Sequence, residues 1–211
     1  MNRKAFTLAE VLITLGIIGI VAALTMPALI SSTQKKELEA CLKKQYSIMS
    51  QALQKMAYEN GKEALSTDYP NANAFKSDFM KHFKVADECP QNNCVPYTFW
   101  KTYNGNNVGD IFGGPQFIAA DGAIYFFFFG NPSQAVYIGV DVNGYKKPNK
   151  YGYDFFYFNL LVDNEKLIPG GASGSIRPEG FDCSKTSTGA YNGIYCTNEA
   201  LTNPNYFKNL P

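Results

Sequence analysis

Histidine is almost missing from this chain: His82 is the only one in 211 residues. The residue most often used as a general base and as a metal ligand is therefore confined to one position. His82 sits in "KHFKV" and reads as a surface or packing residue. No G-x-S-x-G elbow, no Walker loop and no paired-carboxylate setting occurs either, so no enzyme is expected. Net charge is nearly missing too, at +1 from 19 basic and 18 acidic side chains. No basic field points to nucleic acid, and no nucleic-acid partner is expected. The third shortage is local: from Val11 to Ile30 there is no charged side chain at all.

What is present is uneven. The hydrophobic share is 45% and the aromatic share 15%, with frequent Gly and Asn. A chain this long holds one domain plus an extended element, or two small domains. The mixture suits a turn-rich β domain outside the cytoplasm. Five cysteines sharpen that reading. Cys89 and Cys94 bracket "CPQNNC"; Cys183 and Cys196 bracket "CSKTSTGAYNGIYC". Neither is a metal-ligand spacing, and with one histidine no zinc site is expected. Two short disulfide loops, Cys89–Cys94 and Cys183–Cys196, are the better reading and imply an oxidising compartment. Four cysteines still allow three connectivities. Cys41 is left over in a helical pattern, as a small apolar residue.

Val11–Ile30 has about the ~20 residues that cross a bilayer as a helix. A cleaved secretory signal has a shorter apolar core, of roughly 7–15 residues. Here the pattern does not break. Leu38, Leu42, Tyr46, Met49, Leu53 and Met56 recur in steps of three and four, which is one stripe on a helix. Gly61 supplies a stop after Asn60. One helix is expected from Phe6 to about Asn60, roughly 80 Å long. Its first half is apolar all round and its second half amphipathic, with Pro27 between them to kink or open it.

The stretch "KAFTLAEVLITLGIIGIVAALTMPALI" resembles the N-terminus of type IV pilins and type II secretion pseudopilins. Members share a short basic leader, a small residue, then Phe-Thr-Leu, a Glu at the fifth mature position and a long apolar helix. Arg3 and Lys4 match the leader, and Phe6, Thr7, Leu8 and Glu10 match the mature start. Pro27 falls where many pilins carry a helix-breaking proline. Ala5 departs from the Gly usual before the cut. The resemblance covers residues 3–30, about a seventh of the chain.

The resemblance implies a leader of residues 1–5, a helix over 6–60 with its membrane span near 11–30, and a globular domain over 61–211. It implies cleavage between Ala5 and Phe6 by a prepilin peptidase, then N-methylation of the Phe6 amine. It gives Glu10 an assembly role. A carboxylate near lipid is costly, and in a filament Glu10 can meet a neighbour's Phe6 amine. The plainer alternative is that Glu10 sits at the membrane interface. Arg3 and Lys4 place the N-terminus inside; Lys35 and Lys36 argue the other way, but disulfides need the C-terminal part outside.

Beyond the helix, a short helix is expected near Phe75–Phe83. "GPQFIAADGAIYFFFFGNP" reads as strand, Asp121-Gly122 turn, strand, with both faces of Phe126–Phe129 covered. "AVYIGVDVNG" gives a third strand ending near Asp141, and Asp154–Val162 a fourth. These form a small antiparallel sheet packed on the amphipathic half of the helix, an α+β and pilin-like arrangement. The tail from Gly170 to Pro211 is turn-rich, and "GGASGSIRPEG" reads as a flexible connection. Asp141, Asn143, Asn149 and Asp154 place oxygens along one loop. Calcium takes six to eight oxygens, and similar loops occur in major pseudopilins, with calcium bound nearby in some members. The spacing is not that of an EF-hand, and a plain Asn143-Gly144 turn capped by Asp154 is the competing reading.

Two functions remain in play. The first is a pilin-like subunit of a type IV pilus, competence or type II secretion filament. Its partners are the peptidase, sibling pilins, membrane lipid, and a platform protein driven by an ATPase. The second is a monomeric anchored protein whose outer domain binds a ligand or surface.

Overall fold

The computed structural model describes residues 7–59, 69–89, 94–109, 113–129, 135–161 and 166–210. Contacts divide the chain into two units, Met1–Glu37 and Leu38–Pro211. Helix α1, Leu8–Glu59, contributes to both. The leader, Phe6 and the expected stop at Asn60-Gly61 lie outside the described residues.

Nearly all the described side chains of the first unit are solvent-facing, including Leu12, Ile13, Leu15, Ile17, Ile18, Ile20 and Leu24. Among the described residues α1 is the one helix long and apolar enough to cross a membrane. Three of its threonine hydroxyls are satisfied locally. Thr14 donates to Val11 O, Thr25 to Val21 O and Thr33 to Leu29 O, each at 2.9 Å. That removes polar groups lipid could not satisfy. Helix assignment continues through Pro27, whose missing N–H takes the usual donor from the Ala23 carbonyl.

In the second unit the stripe on α1 is buried: Leu38, Leu42, Met49, Leu53 and Met56 belong to one core with the sheet. Tyr46 is half-buried and stacks on Phe158 at 5.7 Å. The sheet has six antiparallel strands in sequence order: β1 Val85–Asp87, β2 Gln116–Ala119, β3 Ile124–Phe129, β4 Ala135–Asp141, β5 Phe155–Leu161 and β6 Leu167–Pro169. The α+β, pilin-like layout read from the sequence is what the fold shows. The short edge strands β1 and β6 were not expected; at three residues each, they carry too little alternation to read.

The β2–β3 turn falls at Asp121-Gly122. Gly122 has φ +91° and its N–H bonds Ala119 O at 2.9 Å, a backbone conformation glycine adopts without a side-chain clash. Side chains then alternate. Tyr125, Phe127, Val140, Phe156 and Phe158 face α1, whereas Ile124, Phe126, Phe155 and Tyr157 face away. Gly139 lies between Phe126 and Tyr157 in the register. A Cβ there would sit 2.6 Å from the Phe155 ring, so the ring occupies the side chain's place.

Three expectations change. Helix α2 is Ala72–Met80 rather than Phe75–Phe83, because Asn71 caps it by accepting from Ala74 N at 3.0 Å. Phe126 and Phe127 are buried on opposite faces, but Phe128 is 37% exposed, so coverage of the aromatic run stops short of its end. The Gly-rich tail is packed, not a loose connection. Gly170 N bonds Tyr157 O at 2.8 Å and Asn198 N bonds Gly170 O at 2.9 Å. With Trp100, Phe181 and Ile194, this layer covers the second face of the sheet. A short helix, α3 Thr197–Thr202, lies within it.

Candidate functional site

At the start of α1 the Thr7 N–H donates to Glu10 Oε2 at 2.9 Å and the Thr7 hydroxyl to the same oxygen at 2.8 Å. Glu10 N donates back to Thr7 Oγ1 at 3.3 Å. This is a capping box: Thr7 is the residue before the first turn, and Glu10, three residues on, reaches back to it. The acid therefore has a job within its own chain, satisfying donors a helix start otherwise leaves open. A negative group there also suits the helix dipole. "TLAE" spells the box in sequence, and that signal was available to be read. Among the described residues Glu10 Oε1 takes no hydrogen bond. Ala5 and Phe6, the expected processing pair, lie outside the described residues.

The expected oxygen loop is drawn together. Asp141 and Asp154 both have 0% exposure. Asp141 Oδ1 accepts from Gly144 N at 2.7 Å and Asn143 N at 3.2 Å, and Oδ2 from Trp100 Nε1 at 2.6 Å. Asp154 accepts from Asn149 N at 2.6 Å and Lys150 N at 2.7 Å. Asn149 presents its N–H from the left-handed region, at φ 52°, which Asn tolerates better than most residues. So Asp141, not Asp154, caps the Asn143-Gly144 turn, while Asp154 caps the turn that follows. Burial pushes both carboxyls above the ordinary range, and for Asp141 the charge of Asp154 adds to it. Trp100 was not singled out in the sequence; a lone Trp gives no spacing signal.

Among the described residues, two acceptors at this loop have no partner: Asn143 Oδ1 and Asn149 Oδ1 are buried without a hydrogen bond. Orphaned acceptors beside two mutually repelling carboxyls are the donor chemistry of a hard cation. Asp141, Asp154, Asn143 and Asn149 are the residues that would hold it. Among the described residues no group of three or more His, Cys, Asp or Glu converges as a metal site.

Elsewhere, Cys89 is joined to Cys94 and Cys183 to Cys196. Cys41 packs half-buried against the core that α1 shares with the sheet. The His82 side chain is 6% exposed, with Nε2 3.8 Å from Glu59 Oε2; it is a packing residue.

Residues 1–26 match the prokaryotic N-terminal methylation motif, the signature of type IV pilins and pseudopilins. Proteins bearing it are structural subunits. The motif implies processing by a prepilin peptidase and assembly with other pilin subunits, and with the apolar helix it suggests membrane anchoring. No curated protein and no solved structure matches the chain.

Proposed function

We propose that a chain carrying the N-terminal methylation motif in this setting is a filament subunit, inserted in the membrane before assembly. The peptidase cuts between Ala5 and Phe6, and the new Phe6 amine is methylated and keeps its charge. The basic leader holds the N-terminus inside, and the disulfide-bearing domain lies outside. A platform protein and a cytoplasmic ATPase lift the subunit into a type IV pilus, competence or type II secretion filament.

The observation that carries the reading is the geometry of Glu10. Its carboxylate stands at the head of a stretch without charge, with one oxygen committed to Thr7 and the other without a hydrogen bond among the described residues. An open charged oxygen in a water-poor setting calls for a cation, and a neighbour's Phe6 amine supplies one. The pairing fixes the stagger between subunits. Intact-mass and N-terminal analysis of the protein taken from membranes tests the processing step. The expected chain begins at Phe6 with a methylated amine. An intact Met1, or a cut after Ala23 or Ala28, overturns the reading.

A further inference from the structure

A cleft of about 250 Å³ lies within the second unit, between α1 and the sheet. Helix α1 lines it with Lys44 and Ile48, the segment from α2 to β1 with His82, Phe83 and Lys84, and the β2–β3 turn with Asp121. Its walls are tied to one another. Ala120 N donates to Lys84 O at 2.7 Å, which joins the α2–β1 segment to the turn. The Phe83 ring meets Tyr125 and Phe117 edge-on, with centroids 5.0 and 5.3 Å away. Lys44 Nζ donates to Asp121 Oδ2 at 2.6 Å, which joins α1 to the turn.

The polar lining has donors to spare and its acid is already engaged. Asp121 Oδ2 takes Lys44 and Gln45, and Oδ1 takes Ala123 N at 3.3 Å. An ammonium carries three N–H groups, and Lys44 gives one of them to Asp121. Lys84 is exposed and enters no ion pair among the described residues. The His82 side chain is 6% exposed, and among the described residues its Nε2 is buried without a hydrogen bond. Glu59 Oε2 stands 3.8 Å from it, beyond hydrogen-bond reach. A buried polar atom left this way calls for a partner. Lys44 and Lys84 against Asp121 leave the lining one formal positive charge in excess. Phe83 and Ile48 add an apolar wall.

We propose that this cleft binds a small monocarboxylate with an apolar body. The carboxylate accepts from His82 Nε2 and the lysine ammonium groups, and the body lies on Phe83 and Ile48. A cavity of about 150 Å³ holds benzene, so this one has room for a ring and its carboxylate. Free phosphate matches the donors but leaves the apolar wall in water, which is why the wall favours the carboxylate.

The test uses the full-length protein in detergent with isotope-labelled histidine. The chain has one histidine, so a single imidazole signal reports on the cleft. Sodium benzoate, titrated at constant ionic strength, should shift that signal saturably, with a Kd of about 10 mM or tighter for a ligand of this size. Benzamide, equal in shape but neutral, should bind about 10-fold more weakly or worse. Lys84→Gln should leave the ligand-free signal in place and weaken benzoate by about 2- to 5-fold. No saturable shift overturns the proposal. So does a benzamide curve that matches benzoate, which would show that the charge is not read. Inorganic phosphate shifting the signal at the same concentrations also overturns it, because an anion would then be held without the apolar wall.

Discussion

Glu10 Oε2 accepts both the N–H and the hydroxyl of Thr7, at 2.9 and 2.8 Å. Two roles are therefore superposed on one carboxylate, the helix cap and the proposed pairing with a neighbour's amine. They are separable by chemistry. Glutamine also serves at the third position of a capping box, but it carries no charge. Glu10→Gln should keep the cap and still fail in assembly, as Glu10→Ala does. Membrane insertion and peptidase cleavage should persist in both, since removing a charge makes the segment more apolar. Glu10→Asp should be partly defective, because a shorter side chain must reach the same amine. Comparing processed, membrane-held and sheared-filament fractions reads this out. Normal incorporation of Glu10→Gln would leave only the cap.

A second pair joins α1 to the sheet. Gln45 Oε1 accepts the buried Tyr125 hydroxyl at 2.6 Å, while Gln45 Nε2 donates to Asp121 at 2.9 Å. Gln45→Leu strands the Tyr125 hydroxyl and should cost about 1–3 kcal/mol. Tyr125→Phe removes the stranded group, so the double variant should be less destabilised than the two single costs added. Thermal unfolding of all three closes the cycle. Strict additivity would mean the two residues do not interact.

The legible parts of this molecule were those with a period or a punctuating residue. The Leu38–Met56 stripe, the Asp121-Gly122 turn and the long strands β3, β4 and β5 each repeat a signal over several residues. Gln45 was hidden because a polar residue inside an apolar stripe looks like an error until its partners, 76 and 80 residues away, are in place. The packed tail was hidden for a related reason. Its glycines signal turns, but the contacts that hold it are backbone bonds to β5 and rings from distant segments. The same glycines are as compatible with a loose linker until Tyr157 and Trp100 are set beside them. Trp100 on Asp141 is the site's clearest case, a single side chain whose role exists only in three dimensions.

Asp121 gives a pH test. Burial acts to raise its carboxyl, but hydrogen bonds from Lys44, Gln45 and Ala123 N outweigh it, and the net shift is downward. A carboxyl lowered in the folded state contributes stability above its unfolded value, near 4. That contribution is lost as pH falls through the folded value. The group is partly solvated, so screening keeps the effect small, about 1 kcal/mol or less. Asp121→Asn should lower Tm at pH 7 by about 2–4 °C. The gap from wild type should close as pH falls below the ordinary carboxylate range. A gap that is constant with pH would show that Lys44 and Gln45 do not act on the charged form.

The loop of Asp141 and Asp154 gives a test by cation. Two carboxyls buried at 0% exposure repel each other, and among the described residues Asn143 Oδ1 and Asn149 Oδ1 have no donor. A hard divalent ion replaces the repulsion with attraction and gives both orphaned oxygens a partner. Calcium should therefore raise Tm at neutral pH, since a ligand bound only by the folded state adds about 2.7 kcal/mol at a hundredfold excess over its Kd. Magnesium should do less, because it sheds its waters reluctantly and demands a stricter octahedron. Asp154→Asn should abolish the response. The substitution removes one charge and one oxygen from the set, and it also loses an acceptor for the N–H groups of Asn149 and Lys150. The variant's lower starting Tm is thus expected for two reasons, and only the calcium-dependent increment separates them. A wild-type Tm indifferent to calcium would mean that the N–H donors already claim the carboxylates, leaving Asp141 and Asp154 as caps of their two turns.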